Sequence, residues 1–266
     1  MRGPQGVERA VVEDDVVVTE TGDHIEPLDP KTLRLPEPYE LALPVEPPEI
    51  WCAGVTYERS RDARIEESGS DVYAKVYDAA RPELFLKDAG CRRTVGPGLP
   101  IGVRADSAWN VPEAEIGLVL GERGSIAGYT IGNDVSSRDI EGANPLYLPQ
   151  AKVYAGACAI GPAVLVTDDP GPVFEIELRI LEGGTEVYRG ETSTARMKRG
   201  FADLASWLVR DNPVPLGSVL LTGTGLVPPD DFSLAPGHIV EITVPGIGTL
   251  RNEVVLATTL LEGRSP

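Results

Sequence analysis

The sequence predicts an α+β protein that is mainly β, with a strand-and-loop main domain behind a small N-terminal module, rather than a doubly wound α/β sheet. Three observations lead there. Short apolar segments with period-two alternation recur along the chain, as half-buried strands require. A helical pattern is clear in only one segment, residues 199–211. The 266 residues include 29 Gly and 24 Pro, which interrupt helices and build turns.

Taken in order, AVVEDDVVVT (10–19) alternates around an acidic turn and predicts a β-hairpin. The stretch from Pro27 through Pro36, Pro38, Pro44, Pro47 and Pro48 can be neither helix nor central strand, so it reads as a connector. A small N-terminal domain with its connector is therefore expected over 1–46, and the main domain over 47–266. IWCAGVTY begins with a buried strand. Residues 57–80 predict two helical pieces broken at Ser68–Ser70, supported by Glu66 and Glu67 behind Arg61 and Arg64 and by Tyr73 and Tyr77 at i, i+4. ELFLK, AEIGLVLG and GSIAGYTIGNDV follow as strands. FEIELRILEGG and TEVYRGET predict a hairpin around Gly183-Gly184, RGFADLASWLVRD a helix stopping at Asn212-Pro213, and SVLLTGTG and HIVEITVPGIGTLRNEVV further strands.

Composition narrows the chemistry. A formal net charge of −17 argues against general affinity for nucleic acid or an anionic membrane. No run approaches the roughly 18 apolar residues of a spanning helix, and the N-terminus has no apolar stretch behind its early Arg, so a cytoplasmic protein is expected. Cys52, Cys91 and Cys158 are odd in number, with no CxxC, and read as buried reduced thiols. The only histidines, His24 and His238, lie in segments that read as peripheral. A Ser-His-Asp triad or a His-based zinc site is hard to build from two, so any metal must be held mainly by carboxylates, which selects hard cations.

VPEAEIGLVLG (111–121) carries the sharpest feature. At i and i+2 of a strand, Glu113 and Glu115 share one face while Ile116, Leu118 and Leu120 take the other. Two adjacent carboxylates repel unless a cation or proton joins them, although an acidic strand end in solvent has the same pattern. The next strand ends in Asp134, and hairpin pairing would bring it to Glu113 and Glu115. Three carboxylates without histidine suit magnesium or calcium. Asp139 and Glu141 are weaker alternatives. Lys152, in the neutral surroundings of NPLYLPQAKVY, either snorkels at the surface or faces the acidic cluster, where it would pair with a substrate carboxylate or enolate oxygen. LLTGTG (220–225) is either a plain tight turn or one whose amides and Thr hydroxyls receive an anion.

Together GVTY, FLK, EAE, GYTIGNDVSSRD, QAK and TGTG resemble, in order and spacing, the fumarylacetoacetate hydrolase superfamily over Trp51 to about Thr258. The resemblance implies a mixed β-roll catalytic domain of that type, a homodimer, metal ligands Glu113, Glu115 and Asp134, and substrate contacts from Lys152 and Thr224. Hydrolases of the superfamily commonly read GxNYxxH, with a His that activates water. Here Thr56 stands for the Asn and Ser60 for that His. GVTYERSR, DVYAKVYDAARPELFLK, ADSAWNVPEAE and DIEGANPLYLPQAKVYAG resemble instead the sugar-acid branch of 2-keto-3-deoxy-D-arabinonate dehydratases, which carries that Ser and a Glu matching Glu83.

This branch implies a magnesium-dependent hydro-lyase, with manganese or calcium as alternative metals, that converts a 2-keto-3-deoxy pentonate to 2,5-dioxopentanoate. Glu83 is then the candidate proton-transfer group, Lys152 holds developing negative charge, and Ser60 positions a substrate oxygen. C–C bond hydrolysis, acylpyruvate cleavage or oxo-acid tautomerisation on the same platform is the alternative, and a non-catalytic sugar-acid binding protein the second. The expected partners are a small anionic 2-oxo acid and a second copy of the chain.

Overall fold

A computed structural model describes residues 1–29, 31–68, 72–169 and 171–262, without the side chains of 64, 66–68 and 72–74. Its centre is a seven-stranded sheet ordered Glu83–Ala89, Glu49–Gly54, Val219–Leu221, Ala114–Leu120, Ile126–Asp134, Cys158–Leu165, Thr94–Val95. A five-stranded sheet is ordered Thr185–Ser193, Glu175–Glu182, Ile239–Val244, Gly248–Leu256, Ile101–Val103. The chain is thus mainly β with a curled sheet, as expected for a β-roll.

Alternation builds the core between the two sheets. Ile116, Leu118 and Leu120 from one hairpin strand and Ile131 from the other share a buried cluster with Ile176, Leu178 and Ile180, and with Val240, Ile242 and Leu250. Helix Phe201–Leu208 presses Leu204, Ala205 and Leu208 into the same core. The opposite face of the large sheet buries Ile50, Cys52, Val119, Cys158, Ile160, Val219 and Leu221, over which Leu43 and Val45 of the connector pack. The central strands have apolar residues on both faces, which explains their continuous burial.

The expected hairpins form. Ala10–Glu13 pairs with Val16–Thr19, and Asp14 and Asp15 take φ of 48° and 65°, a left-handed pair that matches strand twist. Glu175–Glu182 pairs with Thr185–Ser193 across Gly183 and Gly184. Ala114–Leu120 pairs with Ile126–Asp134, with a bulge at Val119/Leu120, so the second strand begins two residues before Gly128.

Around 58–78 two helices form, Glu58–Ser68 and Val72–Asp78. The proposed break at Ser68–Ser70 falls largely outside the described residues, as do the side chains of Arg64, Glu66, Glu67 and Tyr73. Arg61 pairs with Glu58 and Asp62, at 3.1 and 2.7 Å, and its guanidinium lies 4.8 Å from the centre of the Tyr77 ring. Two short helices are not legible in the sequence: Arg138–Ala143 and Leu148–Lys152 have six and five residues, too few for a helical period to register.

Candidate functional site

The hairpin Ala114–Leu120/Ile126–Asp134 positions the acidic cluster. Glu113 lies one residue ahead of its strand, yet its carbonyl accepts the Asp134 N–H at 3.0 Å, so the alternation continues through it. The Asn133 side chain accepts the Glu113 N–H at 3.2 Å. One carboxylate oxygen each from Glu113, Glu115 and Asp134 falls within a 4.8 Å spread. All three residues are buried, at 4%, 1% and 1% exposure, where uncompensated like charges are costly.

The surrounding donors are not equally shared. Lys152 ends helix Leu148–Lys152 and donates to Glu113 Oε2 at 2.8 Å and Asp134 Oδ2 at 2.9 Å. Of the two readings of Lys152, burial against the acidic cluster is the observed one. Arg138 Nη2 lies 2.9 Å from Glu113 Oε1. Lys87, in strand Glu83–Ala89, is fully buried, pairs with Asp134 Oδ1 and donates to the Val135 carbonyl at 3.1 Å. Glu115 forms no ion pair among the described residues; its Oε2 accepts the Gly223 N–H at 2.6 Å.

These differences set the electrostatics. Burial pushes the Glu115 carboxyl well above the usual range, and Asp134 and Glu113 add to the push. Burial also opposes ionisation of Asp134, but Lys152 and Lys87 outweigh it and hold that carboxyl low. Burial would lower the Lys87 ammonium, yet the field of Asp134 raises it overall. The buried thiols are poor nucleophiles, since desolvation drives Cys158 up to about 12 and Cys52 well above its ordinary value.

The residues fit a hard divalent cation. The donor set is three buried carboxylates, and among the described residues Glu115 lacks the ammonium or guanidinium partner that its neighbours have. A cation there would offset the repulsion that now falls on Glu115.

Beside the cluster lies a cleft of about 380 Å³ including its mouth, lined by Glu113, Asp134, Glu141 and Lys152, by Ser60, Glu83, Gly54, Gly223 and Thr224, and by the apolar Ala53, Val55, Phe85 and Leu148. Glu83 opens its strand opposite Gly54. Ser60 donates its hydroxyl proton to the Thr224 carbonyl, and Thr224 Oγ1 accepts the Leu226 N–H at 3.1 Å. Gly223, at φ 86°, turns its amide onto Glu115, and Thr56 braces the turn by donating to the Thr222 carbonyl at 2.7 Å. The TGTG turn thus presents an amide to a carboxylate of the protein.

Asp139 is not part of the cluster. It accepts from Ser107 Oγ at 2.6 Å and from the Ala108 N–H at 2.8 Å, pinning the loop before Asn110. Glu141 does line the cleft. His238 is more buried than expected, with Nδ1 accepting the Ala235 N–H at 3.3 Å, and neither histidine lines the cleft. Lys87 and Arg138 were not anticipated as site residues. The available signal was compositional: Lys87 and Lys152 are two of only five lysines in an acidic chain.

Comparison with known proteins places this geometry. The chain is 54% identical over 215 residues to a protein named probable 2-keto-3-deoxyxylonate dehydratase from Haloferax volcanii, covering 80% of this chain and 74% of that one. It is 46% identical over 214 residues to 2-dehydro-3-deoxy-D-arabinonate dehydratase from Saccharolobus solfataricus, covering 78% and 72%. The solved structure of a 2-keto-3-deoxy-D-arabinonate dehydratase complexed with magnesium and 2,5-dioxopentanoate superposes with a TM-score of 0.81 at 37% identity, over 93% of this chain and 96% of that one. Residues 49–255 match the fumarylacetoacetate hydrolase C-terminal domain, and the chain belongs to that family.

Proposed function

We propose that this protein is a magnesium-dependent hydro-lyase that converts a 2-keto-3-deoxy pentonate to 2,5-dioxopentanoate. The observation that carries the reading is that Glu113 and Asp134, which cluster with Glu115, share one cleft with Glu83, in a chain similar to dehydratases of such acids. A divalent cation held by the three carboxylates would bind the 2-oxo carboxylate and acidify its C3 protons.

Glu83 takes one C3 proton. The electron pair forms the C3–C4 double bond, and the C4 hydroxyl leaves with a proton as water; a proton then moves from C5 to C3 to leave the C4–C5 enol, which gains a proton at C4 as its C5 hydroxyl loses one and becomes the aldehyde. Lys152 offers its ammonium to the oxygen on which negative charge develops. Ser60 and Thr224 contact the hydroxylated part of the substrate, and Phe85 and Leu148 limit water there. Ser60 disfavours hydrolysis because a serine hydroxyl, here donating to the Thr224 carbonyl, is no substitute for an imidazole that activates water.

A panel of 2-keto-3-deoxy acids and acylpyruvates, assayed with magnesium and with products identified, tests this. We expect dehydration of a 2-keto-3-deoxy pentonate and barely detectable acylpyruvate cleavage; faster cleavage assigns the chain to the hydrolases, and no turnover of any substrate favours a binding protein.

Residues 1–46 form a small N-terminal domain with its connector and 47–266 the catalytic domain of a cytoplasmic homodimer. The free thiols suit a reducing compartment, Leu146 exposed beside Tyr147 offers apolar surface to a second copy, and the family match beginning at residue 49 suits the division. Light scattering at low micromolar concentration should give twice the 28.4 kDa chain mass, and a value near one chain sinks the dimer.

A further inference from the structure

We infer that Gly54 is a positioning residue, whose missing side chain is what allows the Glu83 carboxylate to lie across the neighbouring strand into the cleft. The inference rests on the reading of Glu83 as the proton-transfer group. Gly54 ends strand Glu49–Gly54 and stands directly opposite Glu83 in the antiparallel register. Its backbone does not adopt the left-handed conformation that reserves a position for glycine. The reason for glycine is instead local. A Cβ on residue 54 would lie 2.7 Å from Glu83 Cδ and 3.3 Å from Cγ, and closer still to Oε2, and no other residue supplies any of its three nearest atoms.

Directly opposed residues project to the same face of a sheet, so a side chain at 54 and the folded-over Glu83 compete for one volume. Glu83 is the end of a flexible chain and is only part-buried, so it is the group that yields. Both residues line the cleft shared by Glu113, Asp134 and Lys152. A methyl at 54 therefore removes the carboxylate from the cleft while leaving the metal cluster in place.

The test compares Gly54→Ala, Glu83→Gln and the double variant. Gly54→Ala is expected to lower kcat by about 10²–10⁴, close to the loss in Glu83→Gln, with KM little changed and the Glu83-dependent limb of the kcat–pH profile gone. Manganese affinity of the substrate-free protein, read by titration, should match wild type, and the double variant should be no slower than Glu83→Gln. A crystal structure of Gly54→Ala should show the Glu83 carboxylate rotated away.

An unmoved carboxylate, or a Gly54→Ala enzyme within about tenfold of wild type while Glu83→Gln is inactive, overturns the inference. Full multiplication of the two losses in the double variant also overturns it, since Gly54 then acts on substrate rather than through Glu83. Normal turnover by Glu83→Gln instead defeats the proton-transfer reading, and with it a catalytic purpose for the placement, even if the carboxylate moves. If Gly54→Ala fails to fold, Gly54→Ala/Glu83→Ala should fold because the clashing atoms are gone; failure of both overturns the proposal.

Discussion

Glu115→Gln is expected to abolish metal-dependent turnover yet leave the metal-free protein at least as stable as wild type, whereas Asp134→Asn is expected to lose both. The two proposed ligands differ in what compensates them. Asp134 is held by Lys87 and Lys152, so removing its charge leaves two buried ammonium groups short of a partner. Breaking a buried pair from one side typically costs about 3–5 kcal/mol. Glu115 accepts a backbone amide and forms no ion pair among the described residues, while burial and its two acidic neighbours oppose its charge. A neutral amide of the same shape removes that repulsion and can keep the Gly223 hydrogen bond through its carbonyl oxygen.

Glu113→Gln falls with Asp134→Asn, because Glu113 accepts from Lys152 and pairs with Arg138. Thermal melts in EDTA separate the stability effects, and manganese titration with a turnover assay separates the metal effects. A Glu115→Gln protein that melts well below wild type, or any of the three variants with full activity, contradicts the assignment of the cluster.

Most of the frame follows from local pattern. Period-two alternation at Ile116, Leu118 and Leu120 assigns one face of a strand to the core, and the same period leaves Glu113 and Glu115 together on the other. Asp134 follows because a short hairpin fixes register, and the observed pairing of Ala114 with Asn133 places it beside them. Glu83 has no such local signature. It opens a strand as an ordinary acidic residue, and only the family resemblance singles it out. Its approach to the cleft depends on the glycine opposite, 29 positions earlier in the chain.

The cations around the cluster were the least legible. Arg138 lies in a six-residue helix with no readable period, and its partner Glu113 is brought to it by the hairpin. ELFLK reads as a strand with a lysine able to reach solvent, and nothing within the segment specifies that Lys87 is buried. Its partner Asp134 lies 47 residues later and four strands away in the sheet order, so the contact exists only once the sheet has curled. The TGTG segment reads either as a plain tight turn or as one whose amides and hydroxyls receive an anion. What Gly223 faces is instead a carboxylate supplied by Ala114–Leu120, two positions from the strand residue Gly117 that pairs with Leu221.

Lys87→Met should destabilise the metal-free protein by about 3–5 kcal/mol and make it more, not less, responsive to divalent metal. Lys87 does not line the cleft, so the substitution acts through Asp134 rather than by direct contact with substrate. Methionine fills a similar apolar volume but leaves the fully buried Asp134 carboxylate with Lys152 as its ammonium partner among the described residues, and with no donor from residue 87 to the Val135 carbonyl. Removing that positive charge also removes repulsion between Lys87 and an incoming cation. Two unit charges 4 Å apart interact by about 4 kcal/mol at an effective dielectric constant of 20, so the loss of one competing charge is large on the scale of metal binding. Metal that binds only the folded state then stabilises the variant more than wild type at equal concentration. Melting curves across a magnesium or manganese series should show a lower starting temperature for Lys87→Met and a larger rise. Lys87→Arg should not restore the wild-type melt, because a longer, planar guanidinium does not reproduce the buried ammonium's joint contact with Asp134 and the Val135 carbonyl. A Lys87→Met protein as stable as wild type in EDTA shows that the buried pair does not support the fold. A smaller metal-induced rise than wild type shows instead that Lys87 matters chiefly by aiming Asp134, with its charge secondary.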